Sequence, residues 1–379
     1  MTREELNNLA LSRIDKTRCM ILELITGFGK TKLAIDLVNH ICDRVYRNDE
    51  CQTTILILVA KIVHKQTWKN EIIKWGGIKS DYITIECYES FKNYENSTFD
   101  VVIADEMQHL SEARLELLKT VHVNEAFIGL SATIKKDMRQ YFINVYKADI
   151  IKCGLKEAVE DDVLPEPTVY LIPLSLNTTA YNYKIKKFGK EKIVTQKECY
   201  DDMSNLIEWY KNKFFSSGNE RIKNLWLSSA GKRLKWCAEQ KESLVLSLLD
   251  KFKNYKTLTF CCSITQSEKL GKYNITSKNK ASVKNLEMFN NNKIKHITAC
   301  NILNEGVNLT NCRIGIFCNL NSSEIVVKQR IGRILRHKAP IIIIPYFKCT
   351  REEELVNKML EEYSKNSIKV ITSPSQIEL

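Results

Sequence analysis

The chain has 379 residues, 44 % of them hydrophobic and 27 % charged, which describes a globular protein long enough for two domains or three small ones. Its 57 Lys and Arg against 45 Asp and Glu leave a formal charge of +12 and favour a polyanionic partner. Thirteen cysteines scattered through apolar runs, without a Cys-x-x-Cys pair, argue against a disulfide scaffold or a zinc knuckle and for reduced thiols packed as small hydrophobes. The N-terminus is polar and no apolar run reaches the ~18 residues of a membrane span, so a protein of the cytoplasm (the host's, for a viral source) with no membrane partner is expected.

In chain order, the first landmark is Ile25-Thr26-Gly27-Phe28-Gly29-Lys30-Thr31, between the buried-strand run of residues 19–24 and a helical pattern from Lys32. Small residues let backbone N–H groups close round phosphates, Lys30 supplies a point charge to the β and γ groups, and the Thr31 hydroxyl is suited to Mg²⁺. Thr26, Gly27, Phe28, Gly29, Lys30 and Thr31 are thus candidate nucleotide-binding residues. The full phosphate-loop pattern would need glycine at position 24, where Leu24 stands, and the bland alternative is a helix start after an ordinary glycine turn. Leu33, Leu37, Val38, Ile41 and Val45 give the following helix a packed face.

Residues 53–60 read as a buried strand, then a helix over 62–75. At its end Lys61 would hold a phosphate of a nucleic-acid track, the alternative being a solvated helix-start lysine. A strand over 82–87 leads to Ser90, where a similar contact would sit. Residues 99–108 then form an apolar strand ending in Asp105 and Glu106, adjacent carboxylates that are costly unless something cationic meets them. They fit the second half of the nucleotide site: Asp105 on Mg²⁺ through water, Glu106 as general base toward the attacking water. A further strand from Phe127 closes in Ser131-Ala132-Thr133, hydroxyl residues suited to bond those carboxylates and pass on the state of the site.

In this order and spacing, Thr26-Gly27-Phe28-Gly29-Lys30-Thr31, Asp105-Glu106-Met107-Gln108 and Ser131-Ala132-Thr133 resemble motifs I, II and III of the superfamily 2 helicases and translocases. In that family Leu24 is unremarkable, since motif I there usually lacks the first glycine.

Leu164-Pro165-Glu166-Pro167 reads as a hinge, because each proline forces an extended predecessor. A strand over 169–174 follows. Residues 177–240 then interleave Lys184, Lys186, Lys187, Lys190 and Lys192 with Trp209, Tyr210, Phe214, Phe215, Trp226 and Trp236. Aromatics at helical spacing are read as a core with lysines on its wet face, and the stretch as a candidate track-binding insertion.

In the second half, strands are expected over 256–261, 296–300 and 313–319. Gly306, in a polar turn with Asn308, would allow close approach to phosphate or ribose. Lys328-Gln329-Arg330-Ile331-Gly332-Arg333-Ile334-Leu335-Arg336 places Arg333 and Arg336 on one helical face, with Gln329 a turn back; two guanidinium forks and an amide form a clamp for polyphosphate better than a core. QRIGRILR matches the family's motif VI throughout, FCCSITQSE resembles motif IV and NEGVNLT motif V. The long region before motif IV looks closest to the XPB-like and phage UvsW-like branch, and GVNLT also resembles the Snf2 translocases. Cys300 stands where many relatives have a track-binding threonine, so that contact is carried to Thr298, with Ser263 as its motif IV counterpart. No arginine–glutamine adenine clamp precedes motif I.

The resemblance implies an α/β fold of two tandem RecA-like domains with mostly parallel sheets and a helical segment between them. The expected division is 1–165, 166–240 and 241–379. It implies ATP and Mg²⁺ as cofactors, with Thr31 and Asp105 on the metal. Lys30, Asp105, Glu106, Gln329, Arg333 and Arg336 would be catalytic, Gly306 and Asn308 would help bind the nucleotide, and Ser131 and Thr133 would couple the site to Lys61, Ser90, Ser263 and Thr298 on nucleic acid. DNA is favoured over RNA, on a monomer or one loaded by another protein. The alternatives are an RNA helicase and an ATP-switched binding protein without motor activity.

Overall fold

The computed structural model describes residues 1–45, 52–187, 189–300, 309–320, 324–361 and 363–379. By its contacts the chain divides into two units, the first Met1–Glu166 with the described residues 324–336, the second made of the rest from Pro167 onward.

The first unit is a six-stranded parallel sheet of β1 (Cys19–Leu24), β2 (Ile55–Val59), β3 (Ile83–Cys87), β4 (Thr98–Asp105), β5 (His122–Ser131) and β6 (Asp149–Cys153), in the order β3-β2-β4-β5-β1-β6. Its helices are α1 (Arg3–Ile14), α2 (Lys30–Val45), α3 (Ile62–Lys74), α4 (Glu112–Leu118), α5 (Lys136–Tyr146) and α6 (Leu155–Glu160). Strands β1 and β2 are buried at every residue, as a sheet covered on both faces requires; the one charge among them, Glu23, pairs with Arg139 and accepts from the Ile134 N–H. The α2 pattern buries Leu33, Leu37, Val38 and Ile41. Helix α1 starts with a reciprocal cap, Thr2 accepting from the Glu5 backbone N–H and Glu5 from that of Thr2.

The second unit holds β7 (Thr168–Leu174), the ribbon β8 (Tyr181–Lys187) and β9 (Lys190–Thr195), and the helices α7 (Gln196–Ser217), α8 (Glu220–Glu239) and α9 (Glu242–Lys251). There follow β10 (Thr257–Phe260), α10 (Ile264–Leu270), β11 (Asn274–Ile275), α11 (Ser282–Asn290), β12 (His296–Ala299), β13 (Ile314–Phe317), β14 (Ile341–Phe347), α13 (Arg351–Leu360) and β15 (Ile368–Val370). Between β13 and β14 runs α12 (Glu324–Ile334), which groups with the first unit. The second sheet is parallel, ordered β11-β12-β10-β13-β14-β7-β15, so β7, from before the long helices, is inserted between the last two strands. Lys241 and Glu352, both buried, pair at 2.6 Å; Lys241 also donates to the Pro345 carbonyl, and Glu352 accepts from the Phe347 N–H, so the pair fastens the start of α9 to β14 and α13.

Two expectations for 177–240 need correction. A separate antiparallel ribbon, β8–β9, precedes the helices and turns through Gly189 at φ +78°. None of the aromatics read as a core is buried: Trp209 and Phe215 stand 53 % and 69 % exposed, and Tyr210, Phe214, Trp226 and Trp236 are half-buried. The cysteines follow expectation: ten of the twelve described are buried. Among the described residues no helix is long and apolar enough to cross a membrane.

Candidate nucleotide site

In the first unit the chemistry-bearing residues follow the C-terminal ends of parallel strands, the edge where open α/β sheets bind ligands. Lys30 and Thr31 open α2 just after β1, Asp105 ends β4, and Ser131 ends β5, which lies between those two strands. The Lys30 and Asp105 strands are thus two spacings apart, about 10 Å.

The loop after β1 is shaped by Gly27 at φ +96° and Gly29 at φ +107°, values that glycine adopts without strain. Arg3 of α1 holds its outer side, donating to the carbonyls of Gly27 at 3.2 Å and Phe28 at 3.1 Å, while the Phe28 ring is buried. Phe28 therefore contributes only its backbone. Lys30 Nζ donates to the Leu24 carbonyl at 2.9 Å. Burial pushes its ammonium pKa below the ordinary lysine value; Glu106 and then Asp105 oppose this, and the positive Arg333 and Arg336 add to it.

Asp105 accepts from Trp68 Nε1 of α3 at 2.9 Å, and its carbonyl accepts from the Tyr88 hydroxyl at 3.0 Å. Burial, with Glu106 adjacent, pushes the Asp105 carboxyl up to about 6. Glu106 is held at φ +52°, a left-handed conformation rare outside glycine and concentrated at functional turns. Its carboxylate accepts from Gln108 Nε2 at 2.8 Å, and Gln108 Oε1 accepts from Ser131 Oγ at 2.7 Å. Ser131 Oγ also donates to the Thr133 carbonyl and accepts from its N–H. The hydroxyl residues after β5 thus reach the carboxylates through Gln108 and not directly. Thr133 spends its own hydroxyl on the Ala132 carbonyl.

Helix α12 meets the loop after β1 through Gly332: a Cβ there would lie 2.4 Å from Thr26 Cβ and 3.0 Å from the Thr26 carbonyl oxygen. This close approach explains a glycine inside a helix, where it otherwise costs about 1 kcal/mol. Arg333 is 6 % exposed and Arg330 2 %, while Arg336 is exposed. The sequence reading passed over Arg330, and also Trp68, Tyr88 and the bridging role of Gln108, none of which has a local pattern that names its partner.

Lys61 is exposed as the N-cap of α3 after β2, and Ser90, half-buried in the turn after β3, hydrogen-bonds the Glu86 carboxylate. In the second unit Ser263 caps α10, accepting from the Gln266 N–H. The track contact assigned to Thr298 is corrected: its side chain is fully buried, sharing a 2.7 Å hydrogen bond with Ser267 Oγ and donating to the Ser267 carbonyl, so it is sealed from any track. Gly306 and Asn308 lie outside the described residues, as does the side chain of Gln329.

The helicase conserved C-terminal domain family matches residues 240–338. The DNA 3'-5' translocase XPB2 of Sulfurisphaera tokodaii is 22 % identical over 363 residues, covering 84 % of this chain and 75 % of that protein. Among solved structures, the Hef helicase domain of Pyrococcus furiosus superposes with a TM-score of 0.54 at 13 % identity, over 93 % of this chain and 97 % of that one. A Dbp5 variant of S. cerevisiae, solved with RNA and ADP BeF3, gives 0.58 at 11 % identity, over 94 % and 85 %. Both structural likenesses support the tandem RecA-like fold, and the two sequence matches are to a helicase domain family and a DNA translocase.

Proposed function

We propose that the protein is an ATP-dependent DNA helicase or translocase that couples nucleotide hydrolysis to movement along, or unwinding of, DNA. The observation that carries this is the electrostatic setting of Lys30, on which Asp105 and Glu106 from one part of the chain and Arg333 and Arg336 from another all act. The residues fit a magnesium nucleotide. The ammonium of Lys30 rests on a backbone carbonyl, the buried Thr26 Oγ1 has no hydrogen-bond partner, and burial beside Glu106 raises the proton affinity of the Asp105 carboxyl. Thr31 and Asp105 would hold Mg²⁺, and the 26–31 loop the phosphates. When bound, Mg²⁺ATP supplies the phosphoanhydride whose cleavage drives the work.

Glu106, fixed by Gln108, takes a proton from the attacking water at its carboxylate. Arg333 and Arg336 neutralise charge as it moves onto the leaving phosphate, a role worth about 10³–10⁵ in rate. Through Gln108, Ser131 and Thr133 transmit the state of Glu106 to the strand ends that carry Lys61 and Ser90, which grip phosphates without reading bases. Ser263 extends that grip. DNA is preferred over RNA because the 22 % identical relative is a DNA translocase.

The test is ATP turnover alone and with single-stranded, duplex and forked DNA and with matched RNA. Stimulation by DNA, lost in Lys30→Ala with an unchanged fold, is expected. No stimulation by any nucleic acid would refute the motor reading, and a preference for RNA would refute the substrate.

A further inference from the structure

The β8–β9 ribbon does little for the core, and its chemistry points outward. It forms a two-stranded sheet of its own, an arrangement marginal in water unless something anchors it. The anchor is at its base: Tyr183 stacks edge-on against Trp236 at 5.6 Å and donates from its hydroxyl to Gln240 Oε1, while Val194 is buried. Beyond that base, Lys184, Lys186, Lys190 and Lys192 are all exposed.

Lys184 lies opposite Ile193, Lys186 opposite Glu191, and Ile185 opposite Lys192. Side chains alternate along each strand, so Lys184 and Lys186 share one face, and Lys190 and Lys192 the other. The acidic neighbours do not cancel this charge. Glu191 reaches Lys184 only at 3.7 Å and Glu198 reaches Lys192 at 3.9 Å, both in solvent, where such pairs contribute little; among the described residues no carboxylate pairs with Lys186 or Lys190.

We infer that this ribbon is a second nucleic-acid contact, remote in sequence from the nucleotide site, that seats in the major groove of duplex DNA. Cations on both faces suit an element with phosphates on either side, whereas a flat anionic surface would call for one basic face. A B-form major groove, about 12 Å wide, admits a two-stranded ribbon, while the deep, narrow groove of A-form RNA does not. The inference rests on the reading of the protein as DNA-dependent, and it adds a duplex-specific grip to a motor whose other contacts are indifferent to strandedness.

The experiment measures binding of the full chain, without nucleotide, to duplex DNA, single-stranded DNA and duplex RNA across a salt series. The wild type is compared with the quadruple variant K184A/K186A/K190A/K192A and its all-arginine counterpart. The alanine variant is expected to lose roughly ten- to hundredfold in duplex DNA affinity and about 2–4 from the slope of log affinity against log salt; single strands and duplex RNA should lose less, and the arginine variant should bind as wild type. Unchanged duplex affinity and slope, or equal losses on all three ligands, would overturn the inference. Basal ATP turnover stays at the wild-type rate in either case, and absent DNA stimulation of the wild type bears on the motor reading alone.

Discussion

A single missing side chain sets how closely α12 meets the loop after β1. At Gly332 a methyl would fall within 2.4 Å of Thr26 Cβ, far inside contact distance, with the Thr26 backbone behind it. Gly332→Ala is therefore expected to cost about 1–3 kcal/mol of packing and to lower ATP turnover at least about tenfold, since Arg333 and Arg336 must withdraw with the helix. Steady-state turnover beside thermal melting checks this; a wild-type rate would mean that the close approach is not used in catalysis. At this scale the structure brings together residues that the sequence had singled out. Lys30, Asp105, Glu106 and Arg333 were named from local patterns, because phosphate chemistry demands those groups at those spacings. The partners were not, since Trp68 meets Asp105 across 37 positions and Gln108 meets Ser131 across 23, and no local rule ties such residues together.

Elements were legible where burial made their sequence monotonous. The all-apolar β2, the largely apolar β1, and α2 with its helical spacing, followed from pattern alone. The ribbon β8–β9 was missed because exposed lysines on both faces hide the period-two signal of a strand buried on one. Strand β12 carries a pH dependence of its own. His296 shares a hydrogen bond of 3.1 Å with Thr259 Oγ1, and burial pushes its pKa down from 6.5 to about 4. Because the unfolded chain binds that proton more readily, the stabilisation is present above about pH 6.5 and is lost as pH falls toward 4. His296→Gln should flatten this limb: between pH 7 and 4.5 the variant is expected to lose about 2–4 °C less in Tm than the wild type, read by fluorimetry. Parallel curves would show that other groups dominate acid unfolding.

Over the whole molecule, the excess of 57 cations over 45 anions acts through its summed field. The DNA concentration for half-maximal stimulation of turnover is expected to rise at least about tenfold between 50 and 200 mM salt, with basal turnover changing less than about twofold. A salt-independent requirement would mean that phosphates are not the main contact. By itself the sequence determined the two α/β units, the strand-end position of Lys30 and Asp105, and the basic helix that follows β13, because local periodicity and phosphate chemistry are written in short stretches. Only the tertiary structure decided that β7 inserts between β14 and β15, that Thr298 is sealed, and that α12 joins the unit bearing the phosphate loop some three hundred residues earlier. These are matters of which buried surfaces meet, and packing between distant segments has no signature in either segment alone.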